Sequence, residues 1–359
     1  MTAKVYSNWR DAALPITATI EQGIQCLDTT GVQIVLIVDN QNKLLGTVTD
    51  GDIRRALLRG LSLKSSIEPA VHKKPVVGLA DMSRDMLRQL MRVNQVHQLP
   101  LVNDADEVVG LQVWDEVASV AMRQNTMVIM AGGLGTRLHP HTQNCPKPML
   151  QVAGKPMLEH ILERAKAGGF SRFVLAIRHL GHMIEEHFGD GSGWDIHIDY
   201  LREEAPLGTA GALSLLSPRP DQTLLVTNGD VLTDIHYGEF LDFHIRNGAQ
   251  ATMAVRQFEW QHPFGVVEVN NLDVVGFEEK PVYRSYVNAG VYALQPDALD
   301  RLKKGERCDM PDVFRAVKAS GQRAIVYPIH EPWLDVGRPA DYDNAAGAVK
   351  AAGAAGKKT

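Results

Sequence analysis

Met127-Val128-Ile129-Met130-Ala131-Gly132-Gly133-Leu134-Gly135-Thr136-Arg137-Leu138 is the stretch that decides the fold. A compact apolar run that ends in glycines reads as a strand buried on both faces, as in a parallel sheet. Downstream, helices and strands alternate. Pro156 opens a helix with Leu158, Ile161, Leu162 and Ala165 on one face, and Gly168-Gly169 stops it. Phe173 to Ile177 and Thr223 to Asn228 read as strands, and Gly208 to Leu216 as helical. This order predicts an α/β domain with a doubly wound, mainly parallel sheet. Gly265 to Val269 and Val274 to Glu278 read as an inserted hairpin with Asn270-Asn271-Leu272-Asp273 as its turn.

Upstream, two segments repeat at an offset of 64 residues. Val35-Leu36-Ile37-Val38-Asp39, followed by Leu44-Leu45-Gly46, matches Leu99-Pro100-Leu101-Val102-Asn103, followed by Val108-Val109-Gly110. Each copy reads as strand, polar turn, strand and helix, and the repeat predicts two similar units packed together. The alternative is chance similarity between βα units. The first copy continues Gly46-Thr47-Val48-Thr49-Asp50-Gly51-Asp52-Ile53-Arg54. This resembles the CBS domain, which usually occurs as a pair and often binds adenine nucleotides. The resemblance implies a regulatory nucleotide held by Thr49 and Asp52. A hydroxyl can donate to phosphate, and a carboxylate can accept from ribose. In the second copy Val113 and Glu116 stand at those positions, so at most one well-formed nucleotide site is expected. A purely structural or dimerising pair is the other reading.

Residues 120–126 read as the end of a helix entering a linker. That divides the chain into a tandem CBS domain at 1–122, a catalytic domain at 123–350 and a frayed tail at 351–359. At 359 residues, two or three domains are the default expectation. The net charge is -5 and no stretch concentrates Lys and Arg, which argues against nucleic acid and anionic membrane as partners. No signal peptide or membrane span is evident. Cys26, Cys145 and Cys308 form no CxxC pair or zinc spacing, and a reducing, cytoplasmic setting is expected.

Four clusters after residue 126 carry chemistry. The loop from Ala131 through Gly132, Gly133 and Gly135 to Thr136 and Arg137 can present backbone N–H groups to phosphate. It is not a dinucleotide fingerprint, because Leu138 stands where a glycine is needed, and no GK[ST] follows for a Walker loop. Arg137 can neutralise a triphosphate as pyrophosphate leaves. In Pro146-Lys147-Pro148-Met149, two prolines hold a lysine in an extended loop. Asn228-Gly229-Asp230 ends a strand, where open α/β sheets bind ligands. With Asp335 in Trp333-Leu334-Asp335-Val336-Gly337, Asp230 makes a carboxylate pair suited to Mg²⁺. Glu279-Lys280-Pro281 and Asn288-Ala289-Gly290 suit sugar hydroxyls and a sugar phosphate. His139-x-His141 and His179-x-x-His182 lack a third ligand at a convincing spacing and read as loop histidines.

In this order the clusters, with Pro206-Leu207-Gly208-Thr209-Ala210-Gly211, resemble the sugar-1-phosphate nucleotidyltransferases from Met127 to about Ala346. The resemblance implies that Gly132, Gly133 and Gly208 hold the base, and that Arg137 and Lys147 hold the triphosphate. It implies Mg²⁺ on Asp230 and Asp335, and a sugar phosphate on Gly265, Glu279, Lys280 and Asn288. A sugar-phosphate oxygen would attack the α-phosphorus of a nucleoside triphosphate. That nucleophile is already ionised, so positioning and charge neutralisation suffice. Glu203 can accept the two adjacent N–H groups of guanine, which favours GTP. The fused CBS pair points the same way, since the architecture resembles bacterial guanylyltransferases, and CBS pairs imply a homo-oligomer. Uridylyl or thymidylyl transfer, a choline-phosphate acceptor and a non-catalytic nucleotide sensor are the rivals. An NAD-dependent oxidoreductase fails at Leu138.

Overall fold

The computed structural model describes residues 4–6, 8–94, 96–113 and 122–342. Contacts divide the chain into two compact units, Met1–Ser119 and Val120–Thr359. Glu116 and the tail 351–359 lie outside the described residues. Among the described residues no helix is long and apolar enough to cross a membrane.

In the first unit, β1 (Ala13–Pro15), β2 (Ile34–Val38) and β3 (Leu44–Thr49) form one sheet. The helices α1 (Ile20–Thr30) and α2 (Asp50–Leu58) flank it in sequence. Following α3 (Arg84–Asn94), β4 (Gln98–Val102) and β5 (Val108–Val113) pair in a second sheet. The repeat holds down to the register. Val35 faces Val48 and Leu99 faces Gln112, and each pair of strands slips by one residue at the corresponding place, after Ile37 and after Leu101. The two turns match as well. The Asp39 carboxylate accepts from the N–H groups of Gln41 and Lys43, and the Asn103 side-chain carbonyl accepts from those of Ala105 and Glu107. Asn42 and Asp106 both take φ 62°, a left-handed position that short polar side chains tolerate. The turns also bond to one another, from the Leu44 N–H to the Asp106 carbonyl and from the Val108 N–H to the Asn42 carbonyl.

Alternation along β2 explains why the copies need each other. Val35 and Ile37 pack with Ile20, Ile53 and Leu57 of the unit's own helices. Ile34 and Leu36 point the other way, into a cluster with Trp9 and with Val108 and Leu111 of the second sheet.

The second unit is built on a sheet of seven strands. They are β6 (Arg123–Met130), β7 (Phe170–Ile177), β8 (His197–Arg202), β9 (Leu224–Asn228), β10 (Ala251–Gln261), β13 (Val282–Leu294) and β14 (Ala324–Ile329), with β11 (Val266–Asn270) and β12 (Asp273–Glu278) forming a separate hairpin. The order is β8-β7-β6-β9-β13-β10-β14. The first four strands are mutually parallel, β13 runs antiparallel to both neighbours, and β10 and β14 are parallel. Met127 and Ile129 enter a core with Leu158 and Ile161 of α4 (Met157–Ala167), Ile184 of α5 (Gly181–Phe188) and Phe240 of α6 (Tyr237–Arg246). Val128 enters the opposite core, with Met310, Val313 and Val317 of α7 (Met310–Ala319). Burial on both faces is what the continuous apolar run announced.

Two readings need correction. Residues 123–126 are not a helix end or linker but the first half of β6. Their polar side chains are satisfied in place: Arg123 donates to both Asp242 oxygens and to the Gly168 carbonyl, and Asn125 donates to the Thr223 carbonyl. Gly208 to Leu216 is helical over Gly211–Leu215 alone, as a 3-10 segment. Gly208 takes φ 80°, outside any helix, and the Ala210 and Gly211 N–H groups turn to the Cys308 carbonyl.

Candidate active site

The site gathers at the carboxyl ends of β6 and β9, the ligand-binding edge of an open α/β sheet. After β6, Ala131 is buried and its N–H bonds to the Ala176 carbonyl, so the chain leaves the sheet at a fixed point. The loop that follows is shaped by contacts at Gly132 and Gly135. A Cβ on Gly132 would sit 2.6 Å from Oε1 of Glu203. Gly135 takes φ 64° and closes against Thr142, whose hydroxyl donates to the Gly135 carbonyl at 2.8 Å. Gly133 faces open space, so its backbone is free for a ligand. Thr136 and Arg137 lie on a single 3-10 turn, Thr136–Leu138. Leu138 is fully buried with Leu150, Val152, Met157 and Val336, and this anchor aims the turn.

Lys147 opens the 3-10 turn Lys147–Met149 and is buried. Its ammonium forms an ion pair with Asp230, and both groups are largely removed from water. The Gly229 N–H bonds to the Met130 carbonyl, tying this segment to the end of β6. Val231–Thr233 then pairs antiparallel with Trp333–Asp335, with Val231 opposite Asp335, and the Val336 N–H bonds to the Asp230 carbonyl. This ribbon holds the two carboxylates beside each other. Burial raises the Asp335 carboxyl above the usual carboxylate range and Asp230 raises it further, while Lys147 and Arg137 pull it down. Arg137, Lys147, Asp230 and Asp335 are therefore one electrostatic cluster. A Cβ on Gly337 would lie 3.7 Å from the Arg137 guanidinium, which closes the ring.

Two adjacent oxygen-only side chains whose charges oppose each other fit a hard divalent cation. Mg²⁺ takes one or two carboxylates and completes its octahedron with phosphate and water. Among the described residues no group of three or more His, Cys, Asp or Glu is placed to hold a metal.

Glu203 is buried, and burial raises its carboxyl, partly offset by the Leu207 N–H and by Arg178. Oε2 accepts the Leu207 N–H at 3.1 Å, so the carboxylate also anchors the Pro206–Gly211 loop. Gly208 is required by packing: a Cβ there would meet the Cys308 carbonyl oxygen at 2.6 Å and Asp309 Oδ1 at 2.7 Å. Asp309 accepts from the Thr209 N–H, and the Thr209 hydroxyl accepts from the Met310 N–H.

Asn288 lies on β13, donating to the Tyr292 hydroxyl at 2.8 Å and accepting from the Gly290 N–H. Burial pushes the Tyr292 phenol up to about 12, and Asp230 adds to this, which places β13 beside the carboxylates. Gly265 sits against Glu279, whose Oε2 would lie 2.9 Å from an added Cβ. Glu279 and Lys280 are exposed and lie at the end of the β11–β12 hairpin. No direct contact joins them to the carboxylate cluster among the described residues.

Sequence reasoning named Asn228 only as part of the strand-end motif, with no role of its own, and missed Arg178 and Asp309. Asn228 ends β9, and its Oδ1 is buried without a hydrogen-bond partner among the described residues. Its place before Gly229-Asp230 was the available signal. Asp309 gave none, since only the fold brings it to Thr209. Cys145 is half-buried, and burial raises its thiol, against a nucleophilic role.

In the first unit, Thr49 caps α2. Its Oγ1 donates to Asp52 Oδ2 at 2.6 Å, and the same carboxylate oxygen accepts the Thr49 N–H. A cavity of about 370 Å³ opens beside Asp52, lined also by Arg55, Arg59 and His72. Thr49 does not line it, and its hydroxyl proton is spent on Asp52.

The profile described as nucleotidyl transferase matches residues 126–351, more than half of the chain. The chain belongs to the nucleotidyl transferase family. A CBS domain profile matches residues 8–59. The chain is 36% identical over 229 residues to a mannose-1-phosphate guanylyltransferase of Mycobacterium tuberculosis, covering 62% of this chain and 64% of that protein. It is 34% identical over 225 residues to mannose-1-phosphate guanylyltransferase 1 of Arabidopsis thaliana, covering 60% of this chain and 62% of that protein. The chain thus spans somewhat under two thirds of these relatives. A solved structure from Bacillus anthracis, named as a putative glucose-1-phosphate thymidylyltransferase in complex with a sucrose, superposes with a TM-score of 0.52 at 21% identity, over 63% of this chain and 95% of that one. It shares the fold of this nucleotidyl transferase unit.

Proposed function

We propose that this nucleotidyl transferase joins a nucleoside monophosphate from a triphosphate, GTP in preference, to the phosphate of a sugar 1-phosphate. The observation that carries the reading is the cluster of Arg137, Lys147, Asp230 and Asp335 at the sheet edge. Two cations beside the carboxylates suit a triphosphate, and the two carboxylates suit the metal that accompanies it. A sugar-phosphate oxygen attacks the α-phosphorus, a new P–O bond forms, and the α–β anhydride breaks to release pyrophosphate. Arg137 and Lys147 neutralise charge on the departing group. Asp230 and Asp335 would hold Mg²⁺, which would shield charge on the phosphates. The glycine loop offers backbone N–H groups at Gly133, where nothing crowds the ligand. Asn228 Oδ1, buried and without a hydrogen-bond partner among the described residues, is an acceptor for a ligand hydroxyl. Gly265, Glu279, Lys280 and Asn288 take the sugar phosphate.

Glu203, with Oε1 toward Gly132, supports guanine, as do the guanylyltransferase relatives. A hexose 1-phosphate of the kind named for those relatives is the first acceptor to test. For the first unit, the cavity edged by Asp52, Arg55, Arg59 and His72 suits a nucleotide, with the basic groups on phosphate and Asp52 on ribose. The unpaired cysteines suit a reducing, cytoplasmic setting.

The test is pyrophosphate release with Mg²⁺, crossing GTP, UTP, dTTP, CTP and ATP with a panel of sugar 1-phosphates. Release with GTP and one sugar supports the whole reading. Release with UTP or dTTP keeps the reaction and discards guanine. No release with any pair removes the transferase assignment.

A further inference from the structure

Arg178 directly follows β7, and Glu203 directly follows β8. The strand register carries on to them. Met130 lies opposite Ala176, Ile177 lies opposite Arg202, and the Glu203 N–H bonds to the Ile177 carbonyl. Gly132, Arg178 and Glu203 therefore stand side by side at the carboxyl ends of three neighbouring parallel strands. A Cβ on Gly132 would meet Glu203 Oε1 at 2.6 Å and the Arg178 Cβ at 3.4 Å, so both side chains leave the sheet over the same turn of the glycine loop. Burial raises the Glu203 carboxyl, and Arg178 is close enough to draw it back. Arg178 is half-buried, yet its guanidinium makes no hydrogen bond or close ion pair among the described residues. Other arginines on these strands are spent: Arg202 pairs with Glu185 at 2.7 Å, and Arg123 holds both Asp242 oxygens. A guanidinium carries N–H donors in a fixed fork, and one held partly out of water beside the site has them to give to a ligand.

Resting on the guanine nucleotide proposed above, we infer that Arg178 reads the O6–N7 edge of the base while Glu203 takes N1–H and the 2-amino group. On guanine these groups run in sequence. A carboxylate that accepts from the 2-amino group and N1–H has O6 next to it and N7 beyond, two acceptors at the spacing of a guanidinium fork. Phosphate is the poorer partner for Arg178, because the Glu203 carboxylate alongside repels it. The triphosphate has its own cations in Arg137 and Lys147, beside Asp230 and Asp335. The two side chains sort bases by opposite demands. Adenine keeps N7 but carries an amino group where guanine has O6, so a donor faces Arg178. Glu203 alone would accept that amino group, so rejection of ATP falls to Arg178. Uracil and thymine have one N–H between two carbonyls and nothing in place of N7, so neither side chain is fully served.

The test is calorimetry on the full chain with Mg²⁺ and GTP, 7-deaza-GTP, ITP, ATP, UTP and dTTP, and it needs no sugar 1-phosphate. In 7-deaza-GTP a C–H replaces N7 and every other group of the base is kept. The wild type is expected to bind it about tenfold or more weakly than GTP. Arg178→Met keeps the length of the side chain and removes the fork. It is expected to weaken GTP about tenfold or more and to bind GTP and 7-deaza-GTP within about twofold of each other. Its preference for GTP over ATP is expected to fall about tenfold or more. ITP lacks the 2-amino group assigned to Glu203, and its penalty is expected to stay at the wild-type value in Arg178→Met, a selective loss that general damage to the site would not give. Arg202→Met, whose guanidinium is spent on Glu185, is expected to leave all these ratios unchanged. Equal binding of GTP and 7-deaza-GTP by the wild type, a 7-deaza penalty that survives Arg178→Met, or an unmoved preference over ATP overturns the role of Arg178 and leaves guanine standing. Tighter binding of UTP or dTTP than of GTP by the wild type discards guanine itself, and Arg178 with it.

Discussion

Lys147 reaches across 83 positions of sequence to pair with Asp230 at the end of β9. The pair joins the proline-clamped loop to the strand end, so it sets the distance between the cation that meets phosphate and the carboxylate that meets metal. Asp230→Asn keeps the volume and removes the charge. Turnover is expected to fall by about a hundredfold or more. Stability should fall by about 2 kcal/mol, because Lys147 stays buried without its partner while the site keeps some contact with water. Steady-state kinetics beside urea denaturation checks both, and an unchanged kcat removes Asp230 from the metal.

Glu203→Gln keeps the acceptor for the Leu207 N–H while removing the second negative oxygen. The ratio of kcat/KM for GTP over UTP should drop at least tenfold, with little change in melting temperature. An unchanged ratio assigns Glu203 to loop anchoring alone.

The loop glycines divide by what surrounds them. Gly208→Ala drives a methyl into the Cys308 carbonyl and Asp309 from a left-handed φ. It should cost about 2–3 kcal/mol and raise the triphosphate KM. Gly133→Ala meets open space and should leave stability within about 0.5 kcal/mol. Any loss of activity there reports on close approach of the ligand to the backbone. Thermal melts of the two variants separate these cases.

In the first unit, Arg59→Ala should weaken nucleotide binding at least tenfold by calorimetry with AMP, ATP and GTP, while Asp52→Ala should also cost about 1 kcal/mol through the lost cap on α2. Unchanged binding in both moves the ligand elsewhere.

His244 is buried on α6, its Nδ1 2.7 Å from the Thr252 hydroxyl, and burial lowers its pKa to about 4. The unfolded imidazole titrates near 6.5, so between the two values the unfolded chain binds the extra proton. The contribution is whole above about 6.5 and is lost as pH falls toward 4. The loss amounts to up to roughly 3 kcal/mol. Urea midpoints of the wild type between pH 7 and 4 should slope accordingly, and those of His244→Gln should slope less.

The first half of the core was readable because it is written in contiguous residues. Met127 to Ala131 gave the central strand, Pro156 to Gly169 gave α4, and the 64-residue offset pointed to two similar units, whose shared register and bulge only the strand pairing shows. The sequence hid what depends on partners far away. Arg123 to Thr126 look like a linker until Asp242, Gly168 and Thr223 supply hydrogen bonds to a polar strand. Asp230 and Asp335 were named from motif order, but their side-by-side placement comes from a ribbon that periodicity does not report. Thr49 was expected to meet phosphate, and its position as an N-cap competes with that task.

The ribbon that sets Val231 against Asp335 has a consequence in time. Its strands come from segments about a hundred residues apart, with α6, the β11–β12 hairpin and α7 made in between. A chain still being synthesised has made Arg137, Lys147 and Asp230 well before Asp335 and Val336, and Val336 belongs to the Leu138 core that aims the Arg137 turn. The second carboxylate and the seat of the Arg137 turn therefore arrive together, with the last strand described in the unit.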